Sequence, residues 1–280
     1  MATPIGHLGD ITLRALETFR KISAIACEDT RVTADLLRLL GLPCPPLLSV
    51  REHNERAAAG AVIDRIRAGA AVAYVTDAGT PCISDPGARL VHSVRAAGQR
   101  VIPVPGVSAP IALLSVAGLA ERPFAFVGFA PRAKAEMRRF AANLTVSTAI
   151  TVFFESPHRI EATLRLIASE LTGSAPERRV VIGRELTKRF EEVHVVPAGE
   201  LLDWLEQSRD RLRGEFVVAV DGADASPTTI DRAAAEVMAV LLEELPPARA
   251  AKVAARLTGV ARADLYAIAE AVRQGRGTDG

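Results

Sequence analysis

The sequence is short of most features that place a chain in a familiar class at sight. Its three cysteines, Cys27, Cys44 and Cys82, are odd in number and form no CxxC pair, which argues against a disulfide framework or a zinc site and suits a reducing compartment. The five histidines are scattered with no HExxH, and no metal is expected. No apolar run reaches the roughly 18 residues of a spanning helix, and the first residues lack the basic-then-apolar order of a secretion signal, so a cytoplasmic protein without a membrane span is expected. In that setting the sequon Asn143-Leu144-Thr145 carries no glycan. Formal net charge is only +1, so the chain as a whole does not advertise a polyanion partner, and any basic patch must be local. Also missing are GxGxxG after a strand, GxxxxGK followed by Ser or Thr, and GxSxG, which removes the Rossmann fingerprint, the P-loop and the nucleophile elbow.

What is present is ample core and unusual loops. The 280 residues are 49% apolar, enough for about two domains of ordinary size. The centre of the pattern is Thr76-Asp77-Ala78-Gly79-Thr80-Pro81-Cys82-Ile83-Ser84-Asp85-Pro86-Gly87. The apolar run 71–75 leads into it and a helical pattern over 88–97 leaves it, so it reads as the loop at the carboxyl end of a strand, where open α/β sheets bind ligands. Its glycines and prolines permit close backbone approach and fix the turn, while two Asp and two hydroxyls supply polar contacts. An ordinary strand-to-helix turn is the plainer alternative.

Other units follow the same plan. A Gly/Pro loop opens the chain and runs into a helix expected to start at Asp10 as N-cap, with Leu13, Leu16 and Ile22 on its apolar face. Short strands are predicted at 23–27, 47–50 and 101–105. The first ends on Glu28-Asp29-Thr30-Arg31, which reads either as a second site loop or as a capped helix start. The second precedes Arg51-Glu52-His53-Asn54-Glu55-Arg56 and a helix over 57–67. The third ends in Gly106-Val107-Ser108-Ala109, where Ser108 is expected to cap the next helix. Such repeated units predict a parallel sheet wrapped by helices. The pattern breaks near Pro123, giving an expected N-terminal α/β domain at 1–122 and a second at 123–222. Strands at 124–127, 149–154, 180–183, 193–196 and 216–220, with helices at 157–171 and 200–212, predict a mixed sheet containing a hairpin around 185–191. Arg132, Lys134, Arg138 and Arg139 lie on a helical stretch, either a solvated face or a phosphate-contacting patch. A small-residue linker then leads to a helical module at 229–275 carrying Arg249, Lys252, Arg256 and Arg262. That module reads as a core-packing appendage or a helix-turn-helix-like docking unit.

Seven strings in order resemble the ribosomal RNA small subunit methyltransferase I family. They are Ala2–Thr12, Glu28–Arg31, Glu52–Glu55, Asp77–Gly87, Pro105–Ala109, Phe154–Arg159 and Arg184–Lys188, and Leu245-Pro246 and Gly259-Val260 in the tail resemble the helical module of longer members. The resemblance implies an α/β protein of two tetrapyrrole-methylase-type domains with a cleft between them, plus a small C-terminal helical module. It implies S-adenosylmethionine-dependent 2′-O-methylation of a cytidine in 16S rRNA on the 30S subunit, and a homodimer. The donor contacts it implies are Ile5, Ala78, Gly79, Thr80, Ile83, Ser108 and Ala109 from the first half and Glu155 and Leu186 from the second. Glu28, Asp29, His53, Asp77 and Asp85 are the candidates for helping the ribose hydroxyl lose its proton. Arg31, Arg159 and Lys188 suit phosphate by charge and geometry, extended by Arg132, Arg138 and Arg139. Two features depart from the family: His7 stands where Asn is usual, and the apolar strand that members carry before the position of Ala2 is expected to be short here. A corrin or porphyrin C-methyltransferase and a noncatalytic adenosyl-ligand-binding ribosome-associated protein are the alternatives.

Overall fold

Four consecutive buried residues, Ala24–Cys27, form β1, the middle strand of a parallel sheet flanked by β2 (Leu47–Ser49) and β3 (Val72–Val75). The computed structural model describes residues 1–51, 54–119, 121–207, 212–224, 227–262 and 264–266. Side chains alternate along β1. Ile25 and Cys27 pack with Phe19 of α1 (Leu13–Lys21) and Leu37 of α2 (Thr30–Leu39), while Ala26 packs with Val62 of α3 (Glu55–Arg67) and Leu90 of α4 (Ala88–Ala96). A parallel sheet buried on both faces needs this continuous apolar run.

The chain then passes through α5 (Ala109–Val116) into a five-stranded sheet of order β4-β5-β8-β6-β7. Its strands are β4 (Phe124–Phe129), β5 (Ile150–Glu155), β6 (Arg179–Arg184), β7 (Glu192–Pro197) and β8 (Phe216–Val220). β4 and β5 run parallel and the other neighbours antiparallel, which is the mixed sheet with a β6–β7 hairpin that the sequence predicts. α6 (Lys134–Val146), α7 (Ile160–Leu171) and α8 (Leu201–Gln207) cover one face, where Leu164, Ile167 and Leu201 meet Phe153, Ile182 and Val218. The other face is closed by Leu113 of α5 and by Leu186, against Val152, Val181 and Val217.

All of this lies in one unit, Met1–Gly222, and a second unit spans Ala223–Gly280. The latter holds α9 (Pro227–Glu244) and α10 (Pro247–Thr258), with Ala234, Met238, Ala250, Ala251, Ala254 and Leu265 as its core. Gly259, at φ 75°, ends α10 in the left-handed conformation that glycine takes without strain. Arg249, Lys252 and Arg256, at helical spacing, are exposed on the face away from the buried alanines. Of the helical module expected at 229–275, residues 263 and 267–275 lie outside the described residues.

Several local expectations need correction. Asp10 does not cap α1: it closes a short 3-10 turn, Leu8–Asp10, by donating to the His7 carbonyl at 3.0 Å, and the Thr12 hydroxyl caps α1 by accepting from Ala15 N–H at 3.1 Å. Of the expected apolar face, Leu16 and Ile22 pack with the buried Phe19, whereas Leu13 is 80% exposed. Residues 101–105 join no ladder, since Pro103 and Pro105 have no N–H to give, and the N–H that Val104 O accepts comes from Ala2 at 3.1 Å. The residues ahead of Thr3 are likewise tied by single bonds, with the Met1 amine donating to Tyr74 O at 2.8 Å and a lone bridge between Thr3 and Gly79. Ser108 occupies the N-cap of α5, yet its hydroxyl makes no capping bond.

One glycine is fixed by sterics twice over. Gly87 has φ 118°, and a Cβ there would stand 2.1 Å from Cε1 of Tyr74, whose hydroxyl donates to Pro86 O. Gly87→Ala is therefore expected to lower stability by at least about 1–3 kcal/mol, the ordinary cost of overpacking, with backbone strain in addition. Chemical denaturation measures it, and an unchanged midpoint would contradict this placement of Tyr74.

Candidate active site

The loop after β3 is held from two sides. Thr3 N–H donates to Gly79 O at 2.9 Å and Gly79 N–H returns a bond to Thr3 O at 3.1 Å, which zips the first loop to the central one. The Thr80 hydroxyl donates to Val107 O at 2.9 Å, tying in the loop before α5. Gly79 sits at φ 75°, and a Cβ there would press on Ile5 Cγ2 at 3.3 Å. Within the loop Cys82 and Ser84 adopt left-handed conformations, φ 68° and 64°, that non-glycine residues seldom take. The β6–β7 turn carries a second such pair, Glu185 at 50° and Thr187 at 63°. Strain of this kind gathers at ligand clamps and active sites, where surrounding structure holds it.

These loops enclose a cleft of about 320 Å³. Ile5 enters it from the first loop; Ala78, Gly79, Thr80, Ile83 and Asp85 from the central loop; and Ser108 and Ala109 from the start of α5. Glu155, at the end of β5, and Leu186, in the β6–β7 turn, face them from the second sheet. The nine residues that the resemblance implies as donor contacts thus line a single cleft, although they come from five separate segments. Phe129, Phe154, Glu215 and Val217 line it too. Phe129 and Glu215 escape the sequence reading, although Gly128-Phe129 at the end of a strand is a signal for close approach beside an exposed ring.

The five acid-base candidates separate. Among the four that are described, Asp85 alone lines the cleft. Its half-burial, then the charges of Glu28 and Asp77, push its pKa up to about 6, opposed by a hydrogen bond from the Thr76 side chain. Glu28 is also raised, first by burial and then by Asp77. Asp77 accepts from Asp29 N–H at 3.1 Å, which fastens the carboxyl end of β1 to that of β3. Asp29 is the N-cap of α2, accepting from Arg31 N–H at 2.8 Å, and a two-pronged pair with the Arg31 guanidinium holds its pKa well below the usual carboxylate range. Such a carboxylate is a poor base, and its string reads as a capped helix start. His53 lies outside the described residues. In the neighbouring string Glu55 is buried and caps α4, accepting from Arg89 and Leu90 N–H at 2.9 and 3.3 Å.

The basic candidates separate as well. Arg159 donates to the carbonyls of Ala130 and Pro131 and lies 3.2 Å from the buried Glu155 carboxylate, which also accepts from Thr163 Oγ1 at 2.7 Å and Ser156 N–H at 2.8 Å. Lys188 is held between Glu185 and Glu215 at 3.1 and 2.9 Å. Arg159 is engaged inside the fold, and Lys188 is held by two carboxylates near its surface. Arg31, Arg132, Arg138 and Arg139 are exposed. His7 accepts a hydrogen bond from Gly9 N–H through Nδ1 at 3.0 Å, a role that an asparagine oxygen also fills, and its own N–H donates to Thr187 Oγ1 at 3.1 Å.

Comparison with known proteins agrees with this fold. The profile of the family described as Tetrapyrrole (Corrin/Porphyrin) Methylases matches residues 2–202, and that of the RsmI C-terminal HTH domain matches residues 228–272. The chain is 43% identical over 270 residues to a Ribosomal RNA small subunit methyltransferase I of Neisseria meningitidis serogroup B, covering 96% of this chain and 91% of that protein. It is 42% identical over 265 residues to the protein of the same name from Escherichia coli O157:H7, covering 94% and 91%. Among solved structures, a cobalt precorrin-4 methyltransferase shares the fold with a TM-score of 0.57 at 16% identity, over 79% of this chain and 92% of that one.

Proposed function

Because the chain belongs to the ribosomal RNA small subunit methyltransferase I family, we propose that it methylates the 2′-oxygen of a cytidine ribose in 16S rRNA of the small ribosomal subunit. S-adenosylmethionine is the donor of this family, and when bound it supplies a methyl group made electrophilic by the attached sulfonium. The observation that carries the reading is the convergence of glycine-containing loops from both sheets on one cleft that also holds Asp85. The residues suit the donor: mostly apolar walls beside backbone amides and carbonyls fit an adenosyl group, and the Glu215 carboxylate suits a cationic centre.

Alignment and proton removal are the chain's tasks. Ile5, Ile83 and Leu186 exclude water, and the zipped loops hold the donor contacts in place before the substrate arrives. As the new O–C bond forms and the S–C bond breaks, the ribose hydroxyl sheds its proton, and Asp85 takes it. Glu28 and Asp77 favour that transfer by raising the affinity of Asp85 for the proton. Arg31, Arg132, Arg138 and Arg139, with the stripe on α10, meet phosphates. Arg159 and Lys188 support the loops from within. The halves 1–122 and 123–222 act as two domains on either side of the cleft, and the protein works in the cytoplasm as a homodimer.

Incubating the protein with labelled donor and 30S subunits, then mapping ribose methylation along 16S rRNA, tests the reading. Label on one cytidine 2′-oxygen is expected. Label on a tetrapyrrole precursor and none on 30S subunits would favour the corrin or porphyrin chemistry instead, and donor binding with no methylated product would favour a noncatalytic role.

A further inference from the structure

Building on the RNA-methyltransferase reading, we propose that Phe129 is the shelf on which a nucleobase of the RNA substrate stacks at the mouth of the cleft. Phe129 lines the cleft yet remains 56% exposed. A large ring exposed inside a concave site leaves apolar area for a partner to cover. The ring is positioned deliberately. The β4–β5 register shifts between Phe126 and Phe129, and Gly128 sits at φ 76° in that irregularity, re-aiming the residue that follows it. The Phe129 ring rests on Phe154, with centroids 5.4 Å apart and planes tilted by 57°, and Phe154 rests edge-on against Phe126 at 5.0 Å.

Phe129 is also adjacent to the chemistry. A Cβ on Gly128 would stand 2.9 Å from Ser84 Oγ, so the bare glycine lets the Ser84-Asp85 turn lie directly against this end of β4. The proton acceptor and the exposed ring thus share one rim. The cleft, at about 320 Å³, has room for one small molecule, which the donor fills, so RNA can present only a single nucleotide at the edge. β4 is the edge strand of its sheet, which is where a polymer can approach. Proteins that act on one nucleotide draw it out of its stack and replace the lost stacking with an aromatic face. A base on Phe129 would carry its ribose toward Asp85.

The test compares Phe129→Ala, Phe129→Leu and Phe129→Trp in the full chain. Replacing a stacking ring by alanine is expected to raise KM for 30S subunits by about 5- to 150-fold, well beyond any change in calorimetric affinity for S-adenosylmethionine. Trp should restore KM, and Leu, which keeps apolar bulk but no planar face, should not. Three results would overturn the assignment: Leu performing like wild type, Ala weakening donor binding with KM for 30S unchanged, or Ala altering the sedimentation of the protein, which would make the ring a subunit contact. Failure of wild-type protein to methylate 30S subunits would instead sink the RNA-methyltransferase reading itself, so the two ideas fail separately.

Discussion

Asp85→Asn is expected to cut turnover on 30S subunits by about 10²–10⁴-fold, the usual worth of a positioned general base, while leaving the fold intact. The side chain keeps its shape and its place beside Thr76, so donor affinity should change little. In the wild-type protein the rate should climb with pH through a limb near 6, because the ionised carboxylate is the active form and its pKa is pushed up to about 6 by burial and by Glu28 and Asp77. That limb should vanish in the variant. Glu28→Gln removes one of the charges facing Asp85 and should move the limb to lower pH without abolishing it. Stability should respond in the opposite sense. Between the ordinary Asp value of about 3.9 and about 6, the folded protein holds a proton on Asp85 that the unfolded chain has released, so this group's contribution favours folding at acid pH and is lost as pH rises through that window. Asp85→Asn should accordingly melt at or above the wild-type temperature near pH 7.5, with the gap closing toward pH 4. Unchanged turnover would remove Asp85 from the reaction, and a large loss of stability at neutral pH would mean that its charge is needed by the fold.

The sequence was legible wherever a local rule decides the outcome. Ala24–Cys27 has to be a strand buried on both faces because nothing polar interrupts it, and the Gly79-to-Gly87 loop has to sit at a strand end because its glycines and prolines fit neither helix nor ladder. The nine residues that the resemblance implies as donor contacts come from five segments, and the fold gathers them at one cleft. What was not legible depends on partners far along the chain. Asp10 and Thr12 are both good caps, and the choice falls to Thr12 because the turn at Leu8–Asp10 engages Asp10 first. The apolar pattern over 101–105 looks like a strand until the missing amides of Pro103 and Pro105 are counted. Charge is the least legible. Arg31, Arg159 and Lys188 look alike in sequence, yet only contacts spanning up to about thirty residues show that Arg159 turns inward and that Lys188 is held by Glu215. Phe129 had no motif of its own, since its meaning comes from the bulge beside it and from Ser84 packed against Gly128.

The inward orientation of Arg159 leads to the other large effect. Glu155 is buried, and three donors converge on its carboxylate: Thr163 Oγ1, Ser156 N–H and the Arg159 guanidinium. Arg159→Met keeps much of the stem but leaves the carboxylate without its counter-charge, and frees the Ala130 and Pro131 carbonyls of a donor. Removing one partner from a buried pair typically costs about 3–5 kcal/mol, and denaturant unfolding of the variant should show a loss of that order. Adding Glu155→Gln should recover part of it, because an amide tolerates burial without a cation and still accepts from Thr163. Arg138→Met and Arg139→Met should behave differently. Both side chains are exposed on α6, so stability should hold, while KM for 30S subunits rises and its dependence on salt becomes shallower by about 0.7–0.9 in logarithmic slope for each phosphate contact removed. An Arg159→Met protein that unfolds at the wild-type midpoint, yet loses RNA affinity with the same flattened salt response, would return Arg159 to the phosphate-binding face and undo its assignment to the interior.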